Sequence, residues 1–127
     1  MPVANNPLLP GFYVYAFHVG GVPFYVGEGR SSRASDRVRY VRYQMRREAA
    51  GKTVKWCKNN RVIAECLKRG LEVELKYLHE NLTREDALTR EREEIGRLLS
   101  SGFALSNREG STASVEQIVE AVVSRTA

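Results

Sequence analysis

Cysteine and histidine are scarce: the chain holds two of each among 127 residues. Cys57 and Cys66 form no C-x-x-C unit and have only His18 and His79 as co-ligands. Neither a disulfide framework nor a zinc site is implied, and both read as reduced thiols. No apolar run approaches the roughly 18 residues that a membrane-spanning helix requires. The opening stretch, Met1 to Pro10, lacks the basic and apolar regions of a secretory leader, so the cytoplasm is the expected compartment. Repeats and low-complexity tracts are also missing. What is there is ordinary for a globular protein: 43% hydrophobic and 28% charged residues, in a length that suits one domain.

The charge is unevenly placed. Residues 28 to 69 hold thirteen Lys and Arg against four Asp and Glu, whereas residues 70 to 127 hold seven against eleven. A basic block inside a folded domain puts a positive field on one side of the molecule, which is the footprint of a polyanion binder. A well-solvated basic surface is the plainer alternative.

Phe12 to His18 and Pro23 to Gly27 are rich in aromatic and β-branched residues and flank the glycine-bearing turn Val19-Gly20-Gly21-Val22. That pattern predicts a β-hairpin with Tyr13, Tyr15 and Phe17 on one face and Val14 and Ala16 on the other. Tyr15 and Tyr25 could then meet across the pair. Ala34, Val38, Val41, Met45 and Ala49 recur at helical spacing, predicting a helix over about 32–50 that stops at Gly51. On it Arg33, Arg37 and Tyr40 take one flank, and Arg39, Arg42 and Arg46 the other. A second helix is expected near 59–69, then a half-buried strand from Glu72 to Leu78. A helix capped by Thr83 should run to about Ser100, and Ser114 with Gln117 opens a short last helix. This order suggests a small α+β domain with a mostly antiparallel sheet.

Glu91 is the most informative single residue. It lies three residues after Leu88 and four before Ile95, inside the apolar stripe of its helix, where a carboxylate must meet a cation. That cation is either a metal ion or an arginine such as Arg33 or Arg37. Two hairpin tyrosines, an arginine in the first turn of the next helix and an inward carboxylate together make a phosphodiester site. Tyrosine can pass a proton if a cation lowers its pKa, arginine binds phosphate oxygens, and a carboxylate holds a divalent metal.

The chain resembles the GIY-YIG nucleases. Tyr13-Val14-Tyr15 stands at the first signature position and Tyr25-Val26-Gly27 at the second. Arg33, Ala87-x-x-x-Glu91-x-x-x-Ile95, and Leu105-Ser106-Asn107 with Gly110 follow in order, so that the motifs span 12–110 of a single domain covering 1–127. An N-terminal arm (1–11) and a C-terminal helix (111–127) complete the expected layout. The resemblance implies a small three-stranded antiparallel sheet flanked by helices, and cleavage of DNA phosphodiesters that depends on Mg2+ or Mn2+. It further implies that Tyr15 and Tyr25 position or activate water, Arg33 contacts the scissile phosphate, Glu91 ligates the metal and Asn107 supports the site. Arg39, Arg42, Arg46, Arg47, Lys52 and Lys55 would bind flanking nucleic acid. Tyr13, Glu28, Arg30 and Arg37 are auxiliary candidates.

Three positions depart from the family pattern. Tyr13 replaces the glycine of the family name, Glu28 stands where relatives often carry lysine, and Arg37 where they often carry histidine or tyrosine. Glu28 would repel phosphate unless it pairs with Arg30 or adds a metal ligand. Glu28 and Arg37 could also compensate each other in charge. The expected activity is therefore that of an endonuclease. A catalytically weak nucleic-acid-binding module of the same fold, or a protein-binding adaptor, are the alternatives that Glu28 favours. Double-strand cleavage with one site per chain would call for a homodimer, and nicking only for a monomer.

Overall fold

A computed structural model describes residues 10–107 and 111–126. Most of the expected arm and Gly110 of the last motif lie outside the described residues. Among the described residues the chain forms β1 (Phe12–Val19), β2 (Val22–Arg30), α1 (Arg33–Ala49), α2 (Lys58–Lys68), β3 (Glu74–Leu82), α3 (Arg84–Ser100) and α4 (Val115–Thr126). The strands make one antiparallel sheet in the order β2-β1-β3. This is the α+β architecture the residue pattern predicts. No helix of the described residues is long and apolar enough to cross a membrane.

β1 is central and buried on both faces, which is why its sequence is a nearly continuous apolar run rather than an alternating one. Tyr13, Tyr15, Phe17 and Val19 pack with Ala34 and Val41 of α1, Val62 and Ile63 of α2, and Ile118, Val119 and Val122 of α4. Val14 and Ala16 point the other way, onto Ala87, Ile95 and Leu98 of α3 and onto Leu105. The sheet is thus sandwiched between three helices and one. A bulge between Phe17 and His18 inserts Phe24 into the β1–β2 ladder, and the Phe24 ring stacks on Phe17 with centroids 6.2 Å apart.

The strand expected over Glu72–Leu78 in fact runs over Glu74–Leu82. Its second half, His79-Glu80-Asn81-Leu82, lacks alternation because β3 is an edge strand that bulges there. The register with β1 slips twice between Phe12 and Tyr15, and Asn81 takes a left-handed φ of 58°. His79 is tied across to α3 through Glu94, with Nε2 2.9 Å from Oε2.

Helix starts follow from local chemistry. Thr83 Oγ1 accepts from the Asp86 N–H at 3.1 Å. At α4, Ser114 and Gln117 exchange two hydrogen bonds, a full capping box. The start of α1 is set by a long-range contact instead. The Tyr13 hydroxyl donates to the Ser31 carbonyl at 2.8 Å and accepts from the Ala34 N–H at 3.2 Å. Tyr13 is fully buried and fixes the turn between β2 and α1, so its auxiliary assignment is corrected to an architectural one.

Tyr13→Phe leaves both backbone groups without that partner. It should cost about 1–3 kcal/mol of stability in denaturant unfolding, because the orphaned Ala34 N–H is buried.

Candidate functional site

Register decides where the tyrosines go. Tyr15 lies opposite Gly27 on β2, and a Cβ at Gly27 would sit only 2.7 Å from the Tyr15 hydroxyl oxygen. The bare backbone of Gly27 lets the Tyr15 ring cross β2 and reach a cleft of about 500 Å3 at that side of the sheet. Tyr25, from β2 itself, lines the same cleft, with ring centroids 6.0 Å from Tyr15. α1 contributes Arg33 from its first turn and Arg37 one turn later, and α3 contributes the half-buried Glu91. Four elements therefore bring together Tyr15, Tyr25, Arg33, Arg37, Glu28 and Glu91.

Two further residues join them that the sequence reading did not select as site residues. Asp36 and Tyr40 share the α1 face with Arg33 and Arg37, a relation readable from helical spacing. Ser32 Oγ donates to Asp36 Oδ2 at 2.8 Å, and Asp36 Oδ1 accepts from Arg39 at 3.2 Å. The Tyr40 hydroxyl accepts from Gln44 Nε2 at 2.9 Å.

Asn107 acts on the backbone. Its Nδ2 donates to the Val26 carbonyl at 2.6 Å and its Oδ1 accepts from the Val26 N–H at 3.1 Å, so the side chain closes the free edge of β2. The Ser106 N–H donates to the Phe24 carbonyl at 2.7 Å beside it. With both ends of its amide on Val26, Asn107 is a positioning residue for Tyr25 and Gly27. It lines a second, adjoining cleft of about 810 Å3, which shares Tyr25, Arg37 and Glu91 with the first.

Other expectations are revised. Arg37 Nη1 donates to Asn60 Oδ1 at 3.2 Å, and its guanidinium lies 5.9 Å from the Tyr25 ring centre. Arg30 sits over the Phe12 ring, 5.6 Å from its centre. Among the ion pairs of the described residues there is none between Glu28 and either arginine. Neither proposed pairing of Glu28 is therefore made, because a guanidinium already stacked on an aromatic ring is directed elsewhere. Arg39, Arg42, Arg46, Lys52 and Lys55 are exposed. Arg47 is half-buried, bonded to Gln44 and stacked on Tyr43.

The electrostatics bear on the phenols. Burial pushes Tyr15 well above its ordinary pKa, and the neighbouring Tyr25 adds to the rise while Arg37 opposes it. Burial likewise raises Tyr25, with Arg37 opposing and Glu91 reinforcing. Both phenols are therefore protonated near neutrality, and the cation beside them does not make either one a base. Cys57 is exposed, while Cys66 is buried with its thiol pushed up to about 11.

No group of three or more His, Cys, Asp or Glu is gathered for a metal among the described residues. The carboxylates lining the cleft are Glu28, Asp36 and Glu91; Asp36 is already bonded to Ser32 and Arg39, whereas Glu28 Oε2 is buried with no hydrogen-bond partner. An orphaned carboxylate oxygen in a cleft also lined by Glu91 fits a hard cation such as Mg2+, which takes one or two carboxylates and completes its shell with water and phosphate oxygens. Compared with models of protein families, with curated proteins and with solved structures, the chain matches none.

Gly27→Ala should displace the Tyr15 phenol and lower stability by about 1–3 kcal/mol, as overpacking does. Its φ is not in the left-handed region, so the loss would report the contact alone. The raised phenol pKa values also set an alkaline limit. Tyrosine in the unfolded chain ionises at about 10, so the native state holds its protons more tightly. The contribution of the two phenols to the unfolding free energy should be constant below that pH and fall above it. In Tyr15→Phe, denaturant titrations should show a shallower fall over the same range.

Proposed function

We propose that this protein is a divalent-metal-dependent endonuclease of the GIY-YIG type, hydrolysing DNA phosphodiester bonds in the cytoplasm. The observation that carries the reading is the convergence, in one cleft, of Tyr15, Tyr25, Arg33 and Glu91 from two strands and two helices. Glu91 comes from a segment far from the other three, and a packing role for the tyrosines does not require an arginine and a carboxylate to meet them.

Arg33 is exposed at the rim, free to present its planar fork to two non-bridging oxygens of a phosphate and to offset charge as it grows in the transition state. Tyr15 and Tyr25 are kept protonated by burial and hydrogen-bond to each other, and a phenol has capacity for a further acceptor contact beyond the one bond it donates. Their task is accordingly to hold and orient a water toward phosphorus rather than to deprotonate it. Arg37, on the Tyr25 ring, fixes that phenol and adds positive potential. Glu91, with Glu28, would hold Mg2+ or Mn2+, which when bound supplies Lewis-acid stabilisation of the phosphoryl group and leaving oxygen. Charge balance supports that need. The cleft carries Glu28, Asp36 and Glu91 against Arg33 and Arg37, so without a cation it disfavours phosphate. That same balance favours, as second reading, a binding module whose basic α1 surface holds DNA without cutting it.

Purified protein incubated with plasmid or branched DNA should nick it only with Mg2+ or Mn2+, and Glu91→Ala should abolish nicking. Binding without cleavage in any metal would select the second reading. Arginine variants divide the roles further. Arg33→Ala should lose single-turnover rate at saturating protein by about 100-fold or more, of the order found for a transition-state donor, while retaining most affinity. Joint replacement of Arg39, Arg42 and Arg46 by Ala should instead weaken salt-dependent binding and leave the saturated rate largely intact.

A further inference from the structure

Two large rings on α1 stand half in solvent, and the proposed chemistry uses neither. Among the described residues Tyr40 and Tyr43 are the exposed large hydrophobics, at 49% and 50%. A single exposed ring is ordinary, but two neighbours on the most basic helix call for a reason. Helical spacing joins them to the tyrosine cleft. Arg33, Arg37 and Tyr40 follow one another at steps of four and three residues, and Tyr43 and Arg47 continue the same face. Tyr40 itself lines the cleft, and Tyr43 lies about 4.5 Å farther along the helix axis.

Both rings are held in advance. Gln44, only 8% exposed, donates from Nε2 to the Tyr40 hydroxyl at 2.9 Å and accepts at Oε1 from Arg47 Nη1 at 3.2 Å. The Arg47 guanidinium in turn lies 6.0 Å from the centre of the Tyr43 ring. One nearly buried amide thus ties the first ring to the cation that rests on the second. The freedom of these side chains is thereby lost on folding rather than on binding.

Charge decides what such a strip fits. α1 carries six arginines against Asp36 and Glu48, and those two carboxylates are already bonded to Arg39 and Trp56. Arg39, Arg42 and Arg46 remain exposed beside the rings. An acidic protein surface would answer the arginines but gives flat phenol faces nothing in particular to meet. A nucleic-acid strand supplies both, phosphates for the guanidinium groups and base faces for the rings. In a duplex the base faces are covered by one another, so only unpaired nucleotides offer them.

We infer that Tyr40 and Tyr43 form a stacking platform for unpaired bases of a DNA strand whose backbone follows the exposed arginines of α1. The substrate class is then DNA with a single-stranded stretch beside the reacting phosphate, as at a flap, a bubble or a free end, rather than uninterrupted duplex. That the adjoining phosphate is cleaved rests on the nuclease reading, whereas the stacking does not.

The test is fluorescence anisotropy of the full chain, without metal so that nothing is cut, with labelled probes of equal length: an oligo-dT strand, a strand of abasic sites and a duplex. The abasic strand keeps the phosphates and lacks the bases. The protein should bind oligo-dT at least about fivefold more tightly than the abasic strand, the low end of what one stacked base contributes. Tyr40→Ala and Tyr43→Ala should each weaken oligo-dT binding by about that factor or more, leaving abasic and duplex affinities and the salt slope unchanged. Tyr43→Phe keeps the ring face and should bind as the parent does, and the Tyr43 pair suffices if Tyr40→Ala fails to fold. Equal affinity for oligo-dT and the abasic strand, an equal loss on duplex in the variants, or no binding of any probe would overturn the platform even if the protein nicks plasmid. Base-dependent binding in a protein that cuts no DNA would uphold the platform and overturn the nuclease reading instead.

Discussion

Two tyrosines laid across two glycines organise this molecule. On β1 Tyr13 faces Gly29 and Tyr15 faces Gly27; at Gly27 the ring occupies the space a β2 side chain would have filled, whereas a Cβ at Gly29 would only touch the Tyr13 ring at 3.4 Å. Aromatic cover of a cross-strand glycine keeps apolar packing continuous where a glycine would otherwise weaken the strand. The two pairs serve different ends. Tyr13 remains in the core and sets the chain reversal that starts α1, and the placement of Arg33 and Arg37 depends on that start. Tyr15 passes over the strand, and its hydroxyl becomes part of the cleft.

The free edge of β2 is the second constraint. An uncovered edge offers unpaired backbone groups to any passing strand. Here Ser106 and Asn107 close it, the first with its backbone and the second with a side-chain amide that imitates one. That closure keeps Tyr25 and Gly27 in place and joins the two clefts at Tyr25, Arg37 and Glu91. It also binds Asn59 of α2 into the arrangement through Ser106. Helix, strand edge and late loop are thus held by one short hydrogen-bonded run.

Charge is sorted by depth. The exposed flank of α1 carries Arg39, Arg42 and Arg46, whereas Glu28, Asp36 and Glu91 gather around the cleft. A polyanion would be drawn to the outer surface by long-range attraction. Entry of one phosphate among the carboxylates then depends on a local cation. Under the proposed nuclease reading such an arrangement would separate holding a strand from acting on it, and Glu28, which departs from the family pattern that the sequence resembles, would serve a metal rather than only repel phosphate.

Much of this was legible in the residues alone. Hairpin, helix spans, both capping signals and the two faces of β1 follow from periodicity and local hydrogen-bonding chemistry, which act over a few residues. Glu91 could be singled out because it breaks the apolar stripe of its helix, whereas the roles expected of Tyr15, Tyr25 and Arg33 come from the family resemblance. The partners of Arg37 and Glu28 could not be read, since several acceptors compete for one guanidinium and only packing chooses among them. β3 extended past its alternating stretch because edge pairing with β1, not side-chain pattern, set its length. The role of Tyr13 is likewise a product of contacts between distant segments. Local chemistry determines which elements form and which residues are conspicuous. Only the tertiary structure decides which of them share a cleft, because that depends on strand register and on a glycine small enough to be crossed.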